Sequence, residues 1–146
     1  LVGSAVRRLK RYMPQAIVNV KLPTESLSLF VHAALIEQAI FNVLENAAKF
    51  SPEHQAVIID VAKFSENEIE IAITDQGQGI PEDERDRIFD MFYTMQRGDR
   101  GQYGTGLGLT IVKAIIGAHM GEIVASSAKK NQGTCIRMRL PIQQIV

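Results

Sequence analysis

Along this chain, stretches whose apolar residues recur every three or four positions give way to stretches where they recur every second position, and the switches mark its elements. Between Leu1 and Tyr12, apolar residues at 2, 5, 6 and 9 are separated by arginines and lysines, which predicts the end of an amphipathic helix, a preceding element or linker over residues 1–15. "IVNVKL" at 17–22 and "LSLFV" at 27–31 predict two short strands around a Pro-Thr-Glu-Ser turn. The period becomes helical from about Ala34 to Phe50, and Ser51-Pro52 stops it. "VIIDVAKF" at 57–64 and "EIEIAITD" at 68–75, joined by Ser65-Glu66-Asn67, predict a β-hairpin. Pro81 fits the first position of a further helix, with Glu82, Asp83 and Glu84 in its first turn and Ile88, Phe89 and Phe92 on one side. A polar, irregular stretch from Tyr93 to Tyr103 suits a lid or binding loop. It leads into "GTGLGLTIVKAIIGAH", a helix start rich in glycine. No repeat or linker-like shift in composition interrupts residues 16–146, so one domain is expected there.

Two polar features sit where the pattern alone does not call for them. In the 34–50 helix, Gln38, Asn42, Glu45, Asn46 and Lys49 fall within about 100° of arc, opposite Ile36, Ile40, Val43, Leu44 and Ala47. Such a stripe is ordinarily a solvated face. Asparagine, however, is a poor choice for a helix interior because its amide competes for the backbone. Two of them one turn apart aim carbonyl oxygens, with the Lys49 ammonium, in one direction, a donor set that suits a hard cation and the phosphates it carries. In the second hairpin strand, Ile69, Ile71, Ile73 and Asp75 share parity, so the carboxylate points to the same dry face as three isoleucines. It needs a hydrogen-bonding partner there, or it caps its own turn, Asp75-Gln76-Gly77, through an Asx contact.

Composition narrows the picture from outside. The 146 residues are 46% hydrophobic and 22% charged, with 16 basic and 16 acidic side chains, so nothing draws the chain as a whole to nucleic acid or an anionic membrane. One cysteine, Cys135, rules out an internal disulfide framework and sits in an apolar run that predicts a buried thiol. No apolar run approaches the roughly 20 residues of a membrane span. An opening Leu1 fits a piece of a longer protein.

Glycines at 104, 106 and 108 before a helix make an anion site, because helix N-termini carry unpaired N–H groups and partial positive charge. Their spacing matches neither G-x-x-x-x-G-K-[ST] nor G-x-G-x-x-G. The order of four motifs is more specific. "NVLENAAKFS", "DQGQGI", "IFDMF" and "GTGLGLTIVKAIIGAH" resemble the N box, first glycine box, F box and second glycine box of the ATP-binding catalytic domain of bacterial sensor histidine kinases, a fold shared with gyrase, Hsp90 and MutL. The likeness covers about residues 16–142. The opening "LVGSAVRRLKRY" and the overall spacing look most like the potassium-responsive, KdpD-type branch of the family.

The resemblance implies an α/β two-layer sandwich, a mixed sheet of about five strands on about three helices, with ATP between the layers under a flexible lid. It also implies roles. Asp75 would accept a hydrogen bond from the adenine amino group, Gly77, Gly79 and Ile80 would line the base, and Thr134 would reach it through water. Asn46, with Asn42, would hold Mg2+. Lys49 and a lid arginine, Arg97 or Arg100, would meet phosphate oxygens, while Gly104, Thr105, Gly106, Leu107 and Gly108 would hold the triphosphate through backbone N–H groups. Phe50 stands where the family often has tyrosine, keeping the packing without the hydroxyl, and Met120 stands where it often has glycine.

The family's phosphoacceptor motif, His-Glu or His-Asp with a proline four residues after the histidine, is missing. His32, His54 and His119 all lack it and read as structural or surface residues. The expected activity is therefore transfer of the γ-phosphoryl group to a histidine on a separate helical dimerisation domain of the same parent, with a response regulator downstream. The fragment itself would be a monomer in the cytoplasm, its parent anchored in the inner membrane. Two alternatives stay open: a free-standing serine kinase of the anti-sigma type, and a non-catalytic nucleotide-sensing or docking module.

Overall fold

The computed structural model describes residues 1–90 and 108–142, apart from residues 26, 28, 53, 78, 81, 86, 130 and 131. Five strands form one mixed sheet in the order β1-β2-β3-β5-β4, with β1 at Val18–Lys21, β2 at Val57–Ser65, β3 at Glu68–Asp75, β4 at Glu122–Lys129 and β5 at Gln132–Pro141. β1 runs parallel to β2, and the other neighbours are antiparallel. The predicted hairpin is present: Ser65 pairs with Glu68 around Glu66 and Asn67, and the Ser65 hydroxyl accepts from the Asn67 N–H.

Among the described residues three α-helices cover one face of this sheet: α1 at Val2–Tyr12, α2 at Ala33–Phe50 and α3 at Gly108–Ala118. The core lies between the layers. Ile36, Ala39, Ile40, Val43, Leu44 and Ala47 repeat at helical spacing on α2, and all are buried against Ile59, Ile71, Ile73, Ile136, Met138 and Leu140 of the sheet. His32 caps α2 by accepting from the Leu35 N–H, and Ser51, held extended before Pro52, ends it. α1 packs on α2 through the fully buried Ala5 and Leu9, with the Arg8 guanidinium over the Phe41 ring.

Two expected elements differ. Residues 27 and 29–31 form no strand; Leu27, Leu29 and Val31 pack inward while Phe30 is 81% exposed. Their alternation reports which side chains are buried, and a period of two appears in any extended segment lying on a core, with or without a hydrogen-bonded ladder. After Gly79, the described residues form two short 3-10 turns, Glu82–Glu84 and Arg87–Phe89, rather than an α-helix. Ile88 and Phe89 are buried as expected, and one turn suffices to bury them. Pro81, Phe92 and the stretch at 93–103 lie outside the described residues. Cys135 is 3% exposed, but it alternates with Thr134 and Ile136, which places it on the sheet face opposite the helices.

Candidate functional site

The strand parity of β3 holds to its end. Ile69, Ile71 and Ile73 are buried, and Asp75, next on the same face, is 5% exposed. Its Oδ1 accepts two main-chain N–H groups, from Gly77 at 3.0 Å and Thr134 at 3.2 Å. The turn cap and the dry carboxylate, alternatives in the sequence, are thus combined in one residue. Asp75 and Thr134 are register partners on β3 and β5. Thr134 is 3% exposed, and its Oγ1 has no hydrogen-bond partner among the described residues. A buried hydroxyl without a partner costs about 1–3 kcal/mol, so Thr134 is an exception among the buried polar groups of the described residues.

The glycine turn beyond Asp75 is fixed by the chain itself. A Cβ on Gly77 would lie 2.5 Å from the Phe50 carbonyl oxygen at the end of α2, so glycine is required there for close approach of backbone to backbone. The Gly77 carbonyl accepts from the Gly133 N–H at 2.9 Å, and the Gln76 N–H donates to the Ser51 hydroxyl at 3.2 Å. Gly79 has φ 87, in the left-handed region. Helix α2, the β3 end and the start of β5 therefore converge on Asp75.

The polar face of α2 addresses the start of α3. Gln38 donates to the Asn42 Oδ1 at 2.6 Å, and the Asn42 amide donates to the Gly108 carbonyl at 3.3 Å. Arg8 donates to the Gln38 Oε1 at 2.8 Å, which extends the chain of amides back to α1. Asn46 lies one turn further on, half-buried. Lys49 pairs with Glu45 at 3.6 Å and also lines a cleft of about 550 Å³ between the α1–β1 and α2–β2 links, whose lining includes neither Asp75 nor Thr134. Among the described residues no three His, Cys, Asp or Glu side chains gather as a metal site. Arg97, Arg100, Gly104, Thr105, Gly106 and Leu107 lie outside the described residues.

Several contributors have no local signature in the sequence. Arg85 donates from Nε to the Ile80 carbonyl at 3.2 Å and from a terminal nitrogen to the Ser127 hydroxyl at 2.6 Å. The Thr110 hydroxyl donates to the Phe89 carbonyl at 2.9 Å and ties the first turn of α3 to the turn after the glycines. The Arg85–Ser127 and Thr110–Phe89 bonds span more than 20 residues, and only the assembled fold shows them. The histidines are structural or exposed. The His32 N–H donates to Nε2 of His119, whose Nδ1 donates to the Ile115 carbonyl, and His54 is exposed.

Comparison with known proteins agrees with this geometry. The family model described as histidine kinase-, DNA gyrase B-, and HSP90-like ATPase matches residues 32–144. The adaptive-response sensory kinase SasA of Gloeothece citriformis is 36% identical over 121 residues, 83% of this chain and 30% of its own length. The sensor protein KdpD of Clostridium acetobutylicum is also 36% identical, over 142 residues, 97% of this chain and 16% of its own. Among solved structures, that of the mycobacterial sensor histidine kinase MprB superposes with a TM-score of 0.87 at 30% identity, covering 99% of this chain and 95% of that one. The chain thus spans less than a third of the SasA and KdpD relatives it matches.

Proposed function

The chain belongs to the histidine kinase-, DNA gyrase B- and HSP90-like ATPase family, and from that premise we propose that it binds Mg-ATP at the Asp75 end of the sheet and donates the γ-phosphoryl group to a histidine on a separate helical dimerisation domain of its parent. One observation carries the reading. The apolar face of β3 and β5 ends in a buried carboxylate beside a buried hydroxyl that no group of the described residues satisfies. That pair suits a flat base with an exocyclic amine: Asp75 accepts from the amine, Thr134 meets the ring edge through water, and Gly77, Gly79 and Ile80 line the plane. Phe50 adds apolar surface from the end of α2.

Bound Mg-ATP supplies the transferable phosphoryl group and the cation that offsets its charge. Phosphoryl transfer depends chiefly on positioning and charge stabilisation, and this chain's part is to supply both. Asn46, with Asn42, offers neutral amide oxygens to Mg2+, which adds no negative charge beside a triphosphate. Asn42 already joins α2 to the first residue of α3, so the metal-binding face and the phosphate-binding helix start are held in fixed relation. Lys49 exchanges its partly exposed pairing with Glu45 for a phosphate oxygen, a cheap exchange because such surface pairs are worth about 0–1 kcal/mol. Arg97 or Arg100 contributes a second cation, and the backbone N–H groups of Gly104, Thr105, Gly106, Leu107 and Gly108 hold the phosphates.

The acceptor domain and a response regulator are the partners this reading requires, with the chain itself monomeric on the cytoplasmic side of a membrane-anchored parent. None of the helices described is long and apolar enough to cross a membrane. Titration with ADP tests the first half. Asp75→Asn keeps an oxygen for the Gly77 and Thr134 N–H groups but replaces the other acceptor, so binding should weaken about a hundredfold while the melting temperature barely moves. Unchanged affinity in that variant overturns the purine assignment. Incubation with ATP and a histidine-bearing helical domain tests the second half, with acid-labile phosphate expected; acid-stable phosphate on a serine, or tight ADP binding without any transfer, would replace the autokinase reading.

A further inference from the structure

Three strands bring one row of side chains to the Asp75 end of the sheet. Ser127 on β4 is the register partner of Thr134 on β5, and Thr134 is the partner of Asp75 on β3. Directly opposed residues lie on the same face, so the three side chains share one face of the sheet. The Arg85 guanidinium closes the Ser127 end of that row. One nitrogen binds the Ser127 hydroxyl at 2.6 Å, and Nε binds the carbonyl of Ile80, the buried residue that follows Gly79. Arg85 thus ties the main chain beyond the glycine turn to β4, the edge strand two places from β3. A planar fork reaching two acceptors on different elements is something lysine, with its single ammonium, reproduces poorly.

We propose that Arg85 is a positioning residue for the purine end of the site: by linking Ile80 to Ser127 it sets the space between the glycine turn and the Asp75–Thr134 row. The inference rests on the purine assignment made above. Of what these charge-assisted hydrogen bonds contribute, only the part that holds the loop in its binding geometry reaches the ligand. The effect belongs to the base. It is separate from the phosphate contacts, which the reading places on α2 and the start of α3.

The test is ADP titration of the 146-residue chain and its Arg85→Ala, Arg85→Lys, Ser127→Ala and Asp75→Asn variants, with inorganic tripolyphosphate as a ligand lacking the base. Arg85→Ala should weaken ADP about tenfold, Arg85→Lys and Ser127→Ala about threefold each, and the Arg85→Ala/Ser127→Ala pair no more than Arg85→Ala alone, as expected of residues acting through one contact. Tripolyphosphate affinity should not change. With the acceptor domain added, the KM for ATP should rise while kcat holds. Wild-type ADP affinity in both Arg85→Lys and Ser127→Ala overturns the proposal even if Arg85→Ala fails to fold. If Asp75→Asn still loses binding in that case, the purine assignment survives; if Asp75→Asn also binds normally, both fail. Weaker tripolyphosphate binding in Arg85→Ala, fully restored by Arg85→Lys, would make Arg85 a long-range phosphate charge and also overturn the proposal.

Discussion

The two ends of the β3–β5 pair handle a carboxylate in opposite ways, one buried and one half-buried. At one end Asp75 accepts from two main-chain N–H groups, beside a hydroxyl that no group of the described residues satisfies. At the other, Glu70 on the helix-free face accepts from Arg137 at 2.7 Å and from Arg139 at 2.9 Å, with Arg139 also lying over the Phe64 ring and near Glu122. Burial pushes the Glu70 carboxyl up, but the Arg139 and Arg137 hydrogen bonds outweigh it and hold the group below its ordinary value. The distal end has its charge answered from within; at the Asp75 end the Thr134 hydroxyl has no partner among the described residues. Both ends also press a glycine against a carbonyl, Gly77 on Phe50 and Gly121 on Arg139. What distinguishes the two ends is unsatisfied polarity, rather than glycine or an acid as such.

Alanine at each of these glycines separates the two ends most sharply. At Gly77 the added Cβ meets the Phe50 carbonyl at 2.5 Å, which should cost about 3 kcal/mol of stability and also weaken ADP, because the displaced turn carries a bond to Asp75. At Gly121 the Cβ meets the Arg139 carbonyl, with Ile116 Cγ2 at 2.9 Å and Leu140 Cδ2 at 3.0 Å. Urea melts should show a similar loss of about 3 kcal/mol, yet ADP affinity below the melting transition should match wild type. Equal loss of affinity in both variants would erase the distinction between the ends.

Glu70→Gln gives a smaller effect with a pH signature. Removing one charge from a partly exposed cluster should cost about 1–2 kcal/mol at neutral pH and leave ADP binding intact. Because the folded value is depressed, Glu70 contributes fully above its unfolded value of about 4.3, and the contribution is lost as pH falls through the folded value. The stability gap between wild type and Glu70→Gln should therefore be constant from neutral pH down to that region and then close. A gap that widens on acidification would assign the clamp the wrong sign.

What the sequence discloses follows the range of each interaction. Period-two parity placed Asp75 with three isoleucines, and that placement holds, because side-chain alternation is a local property of any strand. Helical period likewise separated the buried stripe of α2 from the face bearing Asn42 and Asn46. The short 3-10 turns after Gly79 were not legible, since their stabilising bonds, Thr110 to Phe89 and Arg85 to Ser127, come from distant parts of the chain. For Gly77 the resemblance implied a base-lining role, while its close approach to the Phe50 carbonyl, which a Cβ would meet at 2.5 Å, depends on a distant element and has no local signature. Residues 27–31 show the same limit, as burial of alternate side chains needs no strand partner.

The smallest effect concerns Met120, at the distal end. The Gly121 N–H donates to the Ile116 carbonyl at 2.8 Å and the Met120 N–H to the Gly117 carbonyl at 3.0 Å, the paired bonds of a Schellman cap closing α3. That cap requires a left-handed residue at its penultimate position, and Met120 takes φ 60 there, 88% exposed. An L side chain in that region costs about 1–2 kcal/mol, which glycine avoids at some entropic cost in the unfolded chain. Met120→Gly should therefore stabilise the domain by about 0.5–1 kcal/mol, read as a rise in the urea midpoint at constant slope, with no change in ADP affinity. A gain in stability accompanied by a change in affinity would show that the end of α3 communicates with its start, where Gly108 meets Asn42, and the two ends of the sheet would then no longer be independent.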